Sequence, residues 1–179
     1  MDKSLRYAAV AGIISLLSLV PVIIFDILKE FGRANQKFLF IYIALSFISI
    51  AAYLIFMWAF KIIGEKTKNT LLVAMAYLTI ILSVLFYLYD MLGLLYPSLD
   101  NVFMGVAILI LSGIVGIPYG IAQLRLKKKL GGVATAAGVL NIITAACFIT
   151  VLLAVVGLLL LIPTAIVEIV LVFRASKKL

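Results

Sequence analysis

Apolar residues come in long runs separated by short charged segments, and the run lengths suit a bilayer rather than the core of a globule. Crossing ~30 Å of hydrocarbon at ~1.5 Å per residue takes a helix of roughly 20 apolar residues. Tyr7 to Leu28, Phe38 to Phe60, Leu71 to Leu95 and Phe103 to Leu124 each meet that length. A fifth run, Val133 to Phe173, would form a single helix of ~62 Å, about twice the core thickness. It is read as two helices with a tight turn near Ala154 to Gly157, because Gly157 is the helix-weakening residue nearest its middle. The expected fold is all-α, a polytopic membrane helix bundle with six transmembrane helices over 7–28, 38–60, 71–95, 103–124, 133–153 and 157–173. The connections are short, so residues 1–179 are expected to form a single transmembrane domain.

Composition agrees. Hydrophobic residues make up 66% of the 179 and charged ones 12%, with a mean hydropathy of +1.34. A soluble fold of this size could not hide that much apolar surface. The basic start suits a secretory signal, but the first apolar run is too long for one and reads as a permanent helix. Net charge is +8, and the positive residues lie between the apolar runs, where they set topology rather than bind nucleic acid. With six spans and a cytoplasmic N-terminus, twelve Lys and Arg fall inside and three outside; with five spans the division is nine to six. Both termini are therefore expected in the cytoplasm of a cell-membrane protein. Arg125, Lys127, Lys128 and Lys129 are expected at the level of anionic lipid headgroups.

Catalytic chemistry is scarce. The chain has no histidine and a single cysteine, Cys147, which removes His-held haem, zinc and iron–sulfur sites, and Ser/His/Asp or Cys/His catalysis. Gly64-Glu65-Lys66-Thr67 lacks the spacing and the preceding strand of a phosphate-binding loop, and Gly131-Gly132 reads as a flexible turn. No enzyme activity, metal or cofactor is expected.

The informative residues are the polar ones inside the spans. Asp90 lies near the outer end of the third span and Glu168 about five residues from the inner end of the sixth. Each is either a structural partner for a neighbouring helix or part of a solute or ion path. Asn141, among Thr135, Thr144 and Thr150 of the fifth span, is either interhelical glue or a ligand contact. Asp26 reads as an interfacial partner of Lys29 or Lys37, and Lys61 as a snorkelling residue. Ser112, Gly116 and Gly120 are spaced four apart and predict a close helix contact, as do Ala134 and Gly138 on the next span. Three segments, VPVIIFDI, IPYGIAQL and IPTAIVEI, share a pattern in which a polar residue follows proline by five: Asp26, Gln123 and Glu168. The first two segments suggest spans one and four as equivalents in an inverted three-plus-three repeat; the third does not fit that scheme.

GEKTKNTLLVAMAYL after the second run, and the C-terminal stretch from GGVATAAG to EIVLVF, resemble small multi-spanning prokaryotic membrane proteins, archaeal ones included, classed as a domain of unknown function. The resemblance implies a membrane protein without assigned chemistry and carries over no functional residue. Two functions compete. The first is association, as an accessory or oligomeric subunit partnered by itself or another membrane protein. The second is a small-solute or ion carrier using Asp90, Glu168 and Asn141.

Overall fold

The computed structural model describes residues 2–30, 36–96 and 101–179, without the side chains of 23, 25–30, 36–39 and 95. Seven helices make up the described chain, with no strand among these residues: α1 Lys3–Glu30, α2 Gln36–Thr67, α3 Thr70–Leu95, α4 Val102–Leu124, α5 Lys127–Leu130, α6 Gly132–Ile149 and α7 Ala154–Lys178. Six of them are long and apolar enough to cross a membrane, and the fold is the expected polytopic helix bundle. Local chemistry sets several helix starts. Asp2 Oδ1 accepts from Ser4 N (2.8 Å) at the head of α1, Asn69 Oδ1 from Leu72 N (3.2 Å) before α3, and Asn101 Oδ1 from Phe103 N (3.0 Å) before α4. Each satisfies a backbone donor that a helix start leaves orphaned.

The six long helices form a closed ring. Each packs on its sequence neighbour, α4 on α6 across the short α5, and α7 returns to α1. The closest pairings are α1 with α2 and α4 with α6; the loosest are α3 with α4 and α7 with α1. This ranking repeats with an offset of three spans. Side chains pack densely at the end that carries both termini, where Leu5, Phe60, Ile63, Leu126, Leu130 and Leu171 are buried. Large apolar residues such as Leu17, Ile55, Leu85, Phe103 and Leu159 point outward, as a lipid-facing surface requires.

Three boundaries differ from the sequence reading. Helix α2 continues past Phe60 to Thr67, because Lys61 and Glu65 pair one turn apart (2.8 Å) and carry the helix beyond its apolar stretch. The turn in the long fifth run occupies 150–153 instead of 154–157. Val151 takes the positive φ of 54° there, while the Thr150 hydroxyl donates to Cys147 O (3.0 Å). Gly157 is helical, and it lacks a side chain because a Cβ would sit 2.7 Å from the Phe148 ring. Finally, α7 runs on through Arg174 to Lys178, so Glu168 stands ten residues from the helix end, about 15 Å along the axis, while the apolar stretch still ends at Phe173. Asp26 falls on α1, but its side chain and those of Lys29 and Lys37 lie outside the described residues.

Candidate functional site

Pro118 and Pro163 each precede a polar residue by five positions, and those two residues meet. Gln123 of α4 is fully buried, and its Nε2 donates to Glu168 Oε1 of α7 (2.6 Å). In the six-span order α4 and α7 cross the bundle in the same direction, so equivalent positions on them can stand at one depth. Helix α6 lies between, and its Asn141 closes a triangle. Asn141 Nδ2 donates to Glu168 Oε1 (2.8 Å) and to Gln123 Oε1 (2.9 Å). Glu168 is 8% exposed. Among the described residues no Lys or Arg lies within ion-pair distance of it. The carboxyl is held by the two amides, with the Tyr119 hydroxyl adjoining it from α4.

The triangle borders a cavity of about 440 Å³ in the middle of the helix ring, lined by all six long helices. That volume is in the range of small-molecule sites. On the side of the termini, Phe56 and Tyr119 line it, and each packs edge to face on the buried Phe60, with ring centres 5.4 and 5.5 Å apart. Above them the wall is largely apolar. Three of its hydroxyls are committed to their own helices: Ser83 donates to Thr79 O, Ser112 to Ile108 O and Thr164 to Leu160 O, each at 2.7 Å. Thr144 and Thr164 also approach each other across α6 and α7 (3.4 Å).

The structure therefore brings Glu168 and Asn141 together, and it leaves Asp90 apart. Asp90 is exposed on α3 and does not line the cavity. The expected small-residue contact lies between α4 and α6, with one change of membership. A Cβ on Gly120 would meet Gly138 O at 2.8 Å, one on Gly138 would meet Gly120 O at 2.6 Å, and one on Gly116 would meet Ala145 Cβ at 2.8 Å. Gly113 completes this face, its Cβ position 2.6 Å from Ala145 O, while Ser112 borders the cavity. Positions 113, 116 and 120 follow the i, i+3, i+7 line of a helix face, which the strict spacing of four missed. Arg125, Lys127, Lys128 and Lys129 are exposed at the end that bears the termini, while Leu126 and Leu130 between them are buried, so this connection is a short amphipathic segment rather than a plain loop. Gln123 and Tyr119 are the site residues that the sequence reading did not select. The proline-plus-five pattern had marked Gln123 without assigning it a partner. No family model matches the chain, and neither does any curated protein or solved structure.

Proposed function

We propose that the chain is a multi-pass protein of the cell membrane that binds a small solute between its helices and passes it across, without catalysing a reaction. The cavity carries this reading: six helices surround it, and its wall holds the buried Glu168. A bundle that had only to stand in lipid gains by filling such a volume with side chains. It also gains by omitting an acid that costs several kcal/mol within the hydrocarbon layer. The recurrence of packing after three spans supports two inverted halves that rock about the site. Both termini are proposed to be cytoplasmic, on the side that carries twelve of the fifteen Lys and Arg, with Arg125, Lys127, Lys128 and Lys129 among lipid headgroups. Association with a partner drew its support from the small-residue faces. Gly113, Gly116 and Gly120 meet α6 of the same chain, so those faces no longer call for a second protein.

The test uses Ser112→Cys in a Cys147→Ala background, in sealed vesicles, with a charged methanethiosulfonate reagent added from either side. Ser112 borders the cavity and Leu111, the preceding residue, is exposed on the outer surface of the bundle. The thiol of Ser112→Cys is expected to react from both sides, and that of Leu111→Cys from neither. Reaction of Ser112→Cys from one side alone would reduce the protein to a binding protein, and no reaction would remove the solute site.

A further inference from the structure

Resting on that reading of the cavity, we infer that its ligand is a monovalent organic cation with an apolar body, anchored on the Glu168 carboxylate and exchanged there for a proton. Charge gives the first half of the argument. Glu168 is the only acid lining the cavity among the described residues, and no Lys or Arg lines it. A lone carboxylate surrounded by hydrocarbon has to be compensated. One negative charge suits one positive charge, and an anionic solute would be repelled. The same geometry argues against a metal ion. Such an ion takes several oxygen ligands, whereas Gln123 and Asn141 turn their N–H groups toward Glu168, and Gln123 Oε1 is already accepting from Asn141. No cluster of metal-ligating side chains occurs among the described residues.

The wall gives the second half. A sugar or an amino acid zwitterion needs many free hydrogen-bonding groups. Here Ser83, Ser112 and Thr164 spend their hydroxyl protons on their own backbones, and apart from a few groups such as Ser15 and Thr79 the wall presents mainly carbon to a solute. Aromatic rings come from four helices: Tyr53 and Phe56, Phe86, Tyr119 and Phe148. Ring faces attract cations and pack against apolar bodies. An amphipathic organic cation meets both demands.

The exchange is balanced as follows. In the protonated state Glu168 is neutral and its Oε1 still accepts from both amides. When the cation enters, the O–H bond breaks heterolytically, the electron pair stays on the carboxylate, and the proton leaves to water. Proton and cation thus compete for one charge. The polar groups that share the cavity wall or the triangle with Glu168 leave it as the exchanging one. Helix α2 contributes Tyr53 and α4 contributes Tyr119 and Gln123; α1 offers Ser15, α3 Thr79 and Ser83, and α6 Asn141.

Two probes that carry no titratable proton, tetraphenylphosphonium and the smaller benzyltrimethylammonium, are titrated into the purified full chain in nanodiscs. Weakly buffered medium with a pH indicator follows the proton. At least one probe is expected to bind saturably and to release one proton per site. Its affinity should weaken by about tenfold per pH unit on the acid side of the transition, as linkage of one proton requires. Glu168→Gln should lose saturable binding and proton release together, Glu168→Asp should retain both, and Asp90→Asn should leave both unchanged. Thermal unfolding of each variant confirms that it folds. Binding that survives Glu168→Gln, or that releases no proton, overturns the assignment. If neither probe binds while the Ser112→Cys thiol still reacts from both sides, the cation assignment falls and the cavity reading stands. If that thiol is inert as well, both fall.

Discussion

Glu168 is held by two amides and no cation, and this sets what its neighbours tolerate. Asn141→Leu removes one donor to the carboxyl and the donor to Gln123 at once. Buried groups left unpaired in this way cost about 1–3 kcal/mol. The variant should unfold at a lower temperature in mild detergent, and an unchanged midpoint would mean that the triangle is not holding the helices. Glycines give a paired contrast. Gly120→Ala drives a Cβ to 2.8 Å from Gly138 O, a backbone atom that cannot move without shifting α6. Overpacking of this kind costs about 1–3 kcal/mol. At Gly105 of the same helix nothing lies within 4 Å of an added Cβ. Gly105→Ala should be neutral or stabilising by up to about 1 kcal/mol, since alanine lowers the entropy lost in a helix. Thermal unfolding of the two variants side by side separates them, and equal midpoints would place the α4 contact elsewhere. Glu168 and Asn141 could be singled out from the sequence because polar groups in an apolar run carry a cost and stand out. Their meeting could not, because it depends on the relative depth of three helices.

At the scale of elements, run length marks the presence of a helix, because the bilayer fixes the length an apolar segment must have. It does not mark where hydrogen bonding stops. The Lys61–Glu65 pair extends α2 through residues that hydropathy assigns to a connection, and the 150–153 turn is as apolar as its flanks. The first turn of α1 is tied down by charge as well as by its cap. Lys66 of α2 donates to Asp2 Oδ2 (2.6 Å) and Asp2 N donates to Ser176 O (2.9 Å), joining α1 and α2 to the end of α7. The Lys66 bond, followed by the Ser4 hydroxyl, holds the Asp2 carboxyl below its ordinary value of 3.8. A depressed acid contributes stability that is present above its ordinary value and is lost as pH falls through its folded value. Protection of the first turn of α1 against proteolysis should therefore hold at neutral pH and decline only below about pH 4. Asp2→Asn should show weaker protection at neutral pH and no such decline. The effect is small, under about 1 kcal/mol, as for other partly exposed pairs. A wild-type N-terminus cleaved equally fast at pH 3 and pH 7 would exclude a role for the pair.

For the whole molecule, the ring and its cavity arise from how six helices close on one another, which no single run encodes. What the sequence does encode at this scale is polarity. Asp2 pairs with Lys66, Lys129 donates to Thr67 O (3.1 Å), and the Arg174 guanidinium lies over Gly131. Residues from four separate segments thus gather at one end of the bundle. A basic end of this kind should bind anionic lipid, at about 1 kcal/mol per charge near the surface. Lys129 is partly engaged with the Thr67 carbonyl, so Lys128→Gln should lower retention of anionic lipid in native mass spectrometry more than Lys129→Gln does. Equal effects would mean that the contact does not persist in the membrane. Sidedness follows from the same polarity and from the hairpin between α6 and α7. If the fifth apolar run folds back on itself at 150–153, the exposed Leu152 and the C-terminus stand on opposite faces of the membrane. A single long crossing would instead leave 150–153 within the hydrocarbon layer, where an inserted reporter could not fold. Alkaline phosphatase and a fluorescent protein distinguish the two faces, since phosphatase needs an oxidising exterior to form its disulfides. Phosphatase inserted after Leu152 should be active and a fluorescent protein at the C-terminus should fold, because positive charge is retained in the cytoplasm. Inactive phosphatase at 152, together with an active one at the C-terminus, would rule out the six-span arrangement with cytoplasmic ends, because an inverted molecule and a single long fifth crossing both give that pattern. A fluorescent protein inserted after Leu152 then separates the two: one that folds would show an inverted molecule, and one that fails to fold would remove the hairpin and with it the sixth span.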